Sequence, residues 1–448
     1  MNQRFGKQIG KISDYNEFGD GTFFIGHNLI TVPKTLLNDK VEVEVNQQLI
    51  GKVLRILEPS SFRIKPKCEI YNRCGGCTLQ HVSYQHQLEL KTKMIDKLFI
   101  HYFGKIYHIE PCLGMNYPFE YRNKNQIVFG NDSKEKIISG FYQENTHKII
   151  NFKRCYIQDE LSDKIIATIK DIMKKLRLYA YDEDKKTGLI RHVMIKRSFE
   201  TKETMVIIVT GTDIFPGRAN FMKMLMAKHP NITTVIQNIN PRQTSAILGD
   251  KEIILHGKGF IIDILSGMKF KVSSKSFYQV NPKQAEVLYT NALKVAELNK
   301  TDSLLDAYSG VGTIGLIASS MVNKVISVEL VKEAHNDAIF NAKNNNIKNV
   351  HFFNDDATNF IENIVKRKEK IDVVIMDPPR KGSDERFMKS LLKLKPRKII
   401  YISCNPFTQV KDIKYLLSDY QIKKVQPVDM FPHTNHVECC VLMSRIKD

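Results

Sequence analysis

Two rhythms of apolar and polar residues divide this chain. Over roughly the first sixty positions, short runs of β-formers recur: Thr22-Phe23-Phe24-Ile25, Leu29-Ile30-Thr31-Val32, Val41-Glu42-Val43-Glu44-Val45 and Leu49 to Leu57, punctuated by turn signals such as Gly19-Asp20-Gly21. That pattern predicts about five short strands, enough for a small closed β-barrel. From about 283 onward helical patterns alternate with apolar strands at 303–307, 325–329, 350–353, 371–376 and 398–403. Two last strands, near 421–429 and 437–444, have no helix between them and should pair as a hairpin. Strict alternation of this kind predicts a doubly wound α/β domain whose seven-stranded sheet is parallel except at one edge. Ligands of such sheets sit at the carboxyl ends of the strands.

The stretch between is less regular. A helical run from Tyr84 to Phe99 is followed by β-rich segments (Asn125 to Phe129, Ile190 to Lys196, Met205 to Thr210, Thr234 to Gln237, Ile253 to Leu255, Phe260 to Leu265) and helices near 159–178 and 217–228. It reads as a central α+β domain over 61–275, between an N-terminal unit of 1–60 and a C-terminal unit of 276–448. A chain of 448 residues needs more than one core.

Charge changes the picture. Lys and Arg number 67 against 48 Asp and Glu, a net +19 that favours a polyanionic partner such as nucleic acid. No apolar run approaches the roughly 18 residues of a membrane span, and the polar Met1 to Gly10 is unlike a signal sequence. These features predict a cytoplasmic protein with no membrane partner. In a reducing compartment its eight cysteines serve as ligands, nucleophiles or core residues rather than disulfides.

The loop after the first α/β strand, Asp306-Ala307-Tyr308-Ser309-Gly310-Val311-Gly312-Thr313-Ile314-Gly315, contains G-x-G-x-x-G between a strand and a helix. Nineteen residues after Gly310 comes Glu329, where an acid would accept ribose hydroxyls. Asp306 would repel a pyrophosphate, so the loop suits a cationic, phosphate-free head such as that of S-adenosylmethionine. Asp356, after the third strand, is placed either for an adenine amino group or as a helix N-cap.

Asp377-Pro378-Pro379-Arg380 and Ser403-Cys404-Asn405-Pro406 end the fourth and fifth strands. Both Asp377 and Cys404 should therefore face the crevice of the glycine loop. A thiol there has a use. Carbon 5 of uracil is a poor nucleophile until a thiolate adds at carbon 6 and turns the ring into an enolate. A base must then remove the carbon-5 proton; His433, His436 and Glu438 are the candidates.

Cys68, Cys74 and Cys77, spaced C-x5-C-G-G-C, form a three-ligand set for zinc or a [4Fe–4S] cluster. Cys439 and Cys440 lie in an apolar strand and read as core. Basic residues interleaved with aromatics, at Tyr121-Arg122-Asn123-Lys124 and Phe152-Lys153-Arg154-Cys155-Tyr156, suit RNA with unstacked bases.

Taken with Ser276-Phe277-Tyr278-Gln279-Val280-Asn281 and His436-Val437-Glu438, these motifs make nearly the whole chain resemble the RNA uracil-C5 methyltransferases. In particular it resembles the branch with an N-terminal OB-like (TRAM) barrel that modifies bacterial 23S ribosomal RNA. The resemblance implies a Rossmann-like, S-adenosylmethionine-dependent domain with Cys404 as nucleophile and Glu438 as base. It puts Gln279, Tyr308, Glu329 and Asp377 around cofactor and target base. It also implies a [4Fe–4S] cluster, with Cys155 as fourth ligand ahead of the local rival Cys112. The related 5-methylcytosine enzymes carry a Pro-Cys motif at the fourth strand, where this chain has Asp377-Pro378-Pro379, so uracil is the expected base. The reading is a monomeric enzyme making 5-methyluridine in 23S ribosomal RNA. A tRNA T-loop methyltransferase and a non-catalytic RNA-binding factor are the alternatives.

Overall fold

The computed structural model describes residues 6–132, 134–143, 146–183, 185–242 and 246–446. At the N-terminus, two three-stranded antiparallel sheets form, one from Gly6–Lys11, Lys40–Val45 and Gly51–Glu58, the other from Asp14–Tyr15, Gly21–Ile25 and Asn28–Val32. A parallel bridge between Thr31 and Ile50 joins them. Inward residues of both, Ile12, Phe23, Ile30, Val32, Val41 and Val43, share one core, as period-two alternation requires. Six strands form where about five are expected; the two that match none of the apolar runs are Gly6–Lys11, which is mostly exposed, and Asp14–Tyr15, which is only two residues long.

The central region builds a seven-stranded mixed sheet from Lys124–Asn131, Ile137–Tyr142, Ile149–Asn151, Ile190–Arg197, Thr204–Thr210, Thr234–Ile239 and Lys251–His256. Helices Glu160–Lys175 and Arg218–Lys228 cover one face. The sequence reading misses the short strands at 137–142, whose apolar run is broken by Ser139 and Gly140, and at 149–151, which is only three residues long.

In the C-terminal region the seven strands are β1 (Ser303–Ala307), β2 (Lys324–Val328), β3 (Val350–Phe353), β4 (Val373–Met376), β5 (Lys398–Ser403), β6 (Tyr420–Val428) and β7 (Glu438–Arg445). Their order is β3-β2-β1-β4-β5-β7-β6, with β1 to β5 parallel and β7 antiparallel to both β5 and β6. The chain reverses direction across the sheet between β1 and β4, which opens the crevice where ligands of such sheets bind.

Helix Tyr84–Phe103, which the sequence groups with the central region, packs instead on the C-terminal sheet. Its Ile95, Leu98 and Phe99 join the core formed by β1, β4, β5 and the helices Glu385–Leu394 and Pro406–Leu416. Bridges from Ile109 to Val425 and from Leu113 to Val428 extend this contact. The opposite face of the sheet packs against helix Pro282–Ala296, against the central sheet through Met194, Met205 and Ile207, and against the two-stranded sheet Phe260–Leu265 and Met268–Ser273 through Phe270. Both faces are thus covered, as a parallel sheet demands. Among the described residues, no helix is long and apolar enough to cross a membrane.

Candidate active site and cysteine cavity

The glycine loop leaves β1 through Tyr308, whose backbone adopts a positive φ of 68°. A non-glycine residue in this conformation is strained and persists only when held. The Tyr308 ring packs on Phe387, and its hydroxyl lies 3.1 Å from Ser383 Oγ. Gly315 must be glycine: an added Cβ would lie 2.8 Å from Asp306 Oδ2 and 3.1 Å from Val325 Cγ1. That closeness lets the Gly315 amide donate to Asp306 Oδ2 at 2.8 Å. Even so, burial and the nearby Asp377 and Glu329 carboxylates push Asp306 up to about 7.

Glu329, at the end of β2, accepts from the amides of Gly310 at 2.8 Å and Val331 at 2.7 Å, so it braces the loop it faces. Leu330, Val331 and Phe353 beside it are large, apolar and exposed. Asp356 N-caps helix Ala357–Arg367, Oδ1 accepting from Thr358 and Asn359 amides at 3.0 and 3.2 Å. Of the two roles open from sequence, capping is the one its contacts display. Gln279 is hydrogen-bonded to the buried Tyr289 hydroxyl, and that phenol is pushed up by burial and by Asp377, Glu438 and Asp306. Tyr289 thus lies among the acids of the crevice, a position no local motif announces.

β7 brings the last acid in. Because it runs antiparallel to β5 with Ser403 opposite Cys439, its first residue, Glu438, arrives beside Cys404 at the carboxyl end of β5. Glu438 is buried, and burial together with Asp377 drives its carboxyl well above the usual range, opposed by Arg380. Asp377, directly after β4, is pushed up to about 7 by burial.

Cys404 is half-buried. Burial first, then Glu438 and Asp377, push its thiol up to about 11, while the Arg380 guanidinium pulls it down by charge and hydrogen bond. Arg380 is fixed through its backbone: its carbonyl accepts from Asn405 Nδ2 at 2.9 Å and Thr408 Oγ1 at 3.2 Å. Arg380 is therefore a site residue, though the sequence marks it only as part of a motif. Above Cys404 a cavity of about 120 Å³ is walled by Asn435, His436 and, from the N-terminal sheets, Glu17 and Phe18. The Phe18 ring stacks on Phe407 at 4.8 Å.

Of the three candidate bases, His433 turns away. It is buried, its ring stacks on Phe119 at 4.4 Å, and burial lowers it to about 4. His436 is likewise lowered by burial and by Arg380. Glu438 is the one that feels Asp377 and is felt by Cys404. Lys196 is a further residue the sequence does not flag: its buried amine, lowered to about 7, donates to the carbonyls of Ser273 at 2.8 Å and Ser276 at 3.0 Å, fixing the backbone that leads to Gln279.

A second site lies at the knuckle. Cys68, Cys74, Cys77 and Cys155 line one cavity of about 350 Å³, together with Arg122, Lys124 and Tyr156. Burial raises all four thiols, Cys77 and Cys155 to about 12. Gln80 links two of them, Nε2 donating to Cys77 Sγ at 3.3 Å and Oε1 accepting from the Cys68 amide at 3.1 Å. Cys112 is buried in the core under the C-terminal sheet, away from this cavity, which removes it as a fourth ligand. Among the described residues no three Cys, His, Asp or Glu side chains gather as they would around one ion. A tetrahedral zinc with Zn–S of about 2.3 Å would hold its thiolates within roughly 4 Å of one another.

The basic–aromatic motifs divide on inspection. Arg122 and Lys124 line the cysteine cavity. Tyr121, however, is buried and donates to the Pro432 carbonyl at 3.1 Å. Arg154 is paired with Glu120 and with Asp163 at 3.1 Å, so it braces the Cys155 loop and is not a free cation. Cys439 and Cys440 are buried in the cores on opposite faces of β7, as expected.

The family model described as tRNA (Uracil-5-)-methyltransferase matches residues 250–446. The chain is 39% identical to an uncharacterized RNA methyltransferase of Clostridium tetani, over 98% of both chains. It is equally close, at 39% and 98% of both, to an uncharacterized RNA methyltransferase of Staphylococcus aureus. Among solved structures it is similar to the Pyrococcus abyssi tRNA (uracil-54, C5)-methyltransferase in complex with S-adenosyl-L-homocysteine, with a TM-score of 0.76 and 27% identity over 97% of this chain and 100% of that one. The chain belongs to the S-adenosylmethionine-dependent RNA uracil-C5 methyltransferases.

Proposed function

We propose that Cys404 attacks carbon 6 of a uridine in 23S ribosomal RNA and that Glu438 later removes the carbon-5 proton. The observation that carries this reading is the β5–β7 register, which brings a half-buried thiol and a buried carboxylate to one end of the sheet with Asp377 beside both. Arg380 lowers the cost of forming the thiolate. Asp377 shares a proton with Glu438; loss of that proton readies Glu438 as base. The buried Tyr289, hydrogen-bonded to Gln279, feels the same acids.

S-adenosylmethionine supplies an electrophilic methyl group when bound. The residues present fit it: Asp306, Glu329 and Asp377 make the crevice acidic, which suits a sulfonium, and Leu330, Val331 and Phe353 offer apolar surface for an adenine. In this reading Tyr308, Gly310 and Glu329 hold the amino-acid and ribose portions, and Asp356 contacts the adenine while capping its helix. Cys68, Cys74, Cys77 and Cys155, which line one cavity, hold a [4Fe–4S] cluster. Residues 1–60 act as a TRAM-type RNA-binding unit, 61–275 as the cluster-bearing unit and 276–448 as the catalytic one, in a cytoplasmic monomer.

A tRNA substrate is the second reading, and one finding favours it. The Pyrococcus tRNA enzyme aligns over 97% of this chain, so the N-terminal sheets do not separate the two substrates. Purified protein, incubated with S-adenosylmethionine and with ribosomal RNA or tRNA lacking 5-methyluridine, decides by nucleoside mass spectrometry. New 5-methyluridine in 23S ribosomal RNA alone is the expected result. Product in tRNA alone transfers the proposal to the second reading, and 5-methylcytosine would overturn the mechanism's base assignment.

A further inference from the structure

The loop 429–436 runs from β6 to Glu438, walls the cavity over Cys404 and is held to the cysteine knuckle by a set of hydrogen bonds, some buried and one exposed. The knuckle side begins one residue after Cys77. The amides of Thr78 and Leu79 both donate to the His433 carbonyl, each at 2.9 Å. Thr78 Oγ1 accepts from the Asn435 amide at 2.9 Å. His433 adopts a positive φ of 67°, so its carbonyl reaches both donors only in a conformation that must be held.

Helix Tyr84–Phe103 completes the hold. Gln87 Oε1 accepts from the His433 amide at 3.0 Å, while its Nε2 donates to the Leu79 and Val82 carbonyls at 3.0 and 2.9 Å, so a single amide spans knuckle and loop. At the loop's other end, Lys91 Nζ meets Asp429 Oδ1 at 2.6 Å with both side chains fully buried, and Tyr84 donates to Asp429 Oδ2 at 2.8 Å. A pair this deeply buried is weak evidence of net stabilisation, but removing either member leaves an uncompensated charge. It fixes geometry.

We propose that Thr78 and Gln87 are positioning residues for the last step of the reaction: they hold the 433–436 turn so that Glu438 meets the carbon-5 proton of the adduct. The inference rests on Glu438 being the base. In that step the carbon-5 C–H bond breaks, its electron pair re-forms the C5–C6 double bond, the C6–S bond breaks onto sulfur to give the Cys404 thiolate, and the proton ends on Glu438. Cys404 attack and methyl capture precede this abstraction. A displaced base therefore leaves a methylated, covalent protein–RNA adduct, an outcome a loss of fold would not give.

The test compares full-length Thr78→Val and Gln87→Met with wild type, Thr78→Ser and Glu438→Gln on unmodified uridine RNA with methyl-labelled S-adenosylmethionine. The adduct is read on a denaturing gel and free product by nucleoside mass spectrometry. We expect Thr78→Val to keep single-turnover methyl capture within about threefold of wild type, to slow product release about tenfold and to raise labelled adduct severalfold. Thr78→Ser, which keeps the hydroxyl, restores release. Gln87→Met behaves as Thr78→Val does if it folds, and Thr78→Val carries the test if it does not. Capture and release falling together in Thr78→Val, without adduct, would mean the contacts serve stability alone and would overturn the proposal. So would a Thr78→Val enzyme indistinguishable from wild type. Adduct in Glu438→Gln but not in Thr78→Val refutes the positioning role while keeping Glu438 as base; no adduct in Glu438→Gln refutes the base assignment and this inference with it.

Discussion

Cys404 and the four knuckle cysteines are the same residue in similarly buried surroundings, and burial raises the thiol in every case. Their neighbours make the difference. Around Cys404 stand two carboxylates and one guanidinium. In the knuckle the strongest repulsions are mutual, Cys68 against Cys74 and Cys77 against both. Four thiolates in one cavity are untenable without a cationic centre among them. In the proposed reading, the one thiol reacts and returns while the four stay bound.

The largest expected effect breaks the comparison on the reactive side. Cys404→Ala should lower 5-methyluridine formation by about 10³-fold or more, with RNA affinity changed less than threefold, as read by nucleoside mass spectrometry and filter binding. A parallel loss of binding would make Cys404 structural. On the other side, Cys77→Ser should reduce iron in anaerobically purified protein to less than about half of the wild-type content and lower the Tm by roughly 5 °C or more, because a bound structural metal contributes folding free energy. Wild-type iron content or the presence of one zinc instead would break the ligand assignment.

The smallest effect sharpens the comparison within one protein. With Cys404 raised to about 11, its thiolate fraction climbs throughout the range below that value. Alkylation by iodoacetamide, followed by peptide mass spectrometry, should therefore accelerate about tenfold per pH unit from 7 to 9, with no plateau. Cys439, fully buried, should remain unmodified throughout. A plateau below pH 8 would show that Arg380 outweighs the two carboxylates.

Much of the site is legible in the chain because its residues close strands. Asp377 and Cys404 follow β4 and β5, and the rule that parallel strands present their carboxyl ends to one crevice places them together without coordinates. The register between β5 and β7 is another matter, since pairing Ser403 with Cys439 depends on the whole hairpin. That register, and not the spacing of His433, His436 and Glu438, separates the acid from the two histidines. Asp356 reads equally as cap or ligand until its bonds to Thr358 and Asn359 are seen.

The sequence by itself determined the alternation of strands and helices from 283 onward, the glycine loop, the strand-end thiol and acid, and the cysteine spacing, because each follows from local periodicity or from a few residues in a row. Tertiary structure alone decided that helix Tyr84–Phe103 serves the C-terminal sheet and that Gln87 and Lys91 reach residues 346 and 338 positions away. Such contacts leave no local pattern, since a buried Gln or Lys is satisfied by whichever distant backbone or carboxylate the packing of layers brings to it.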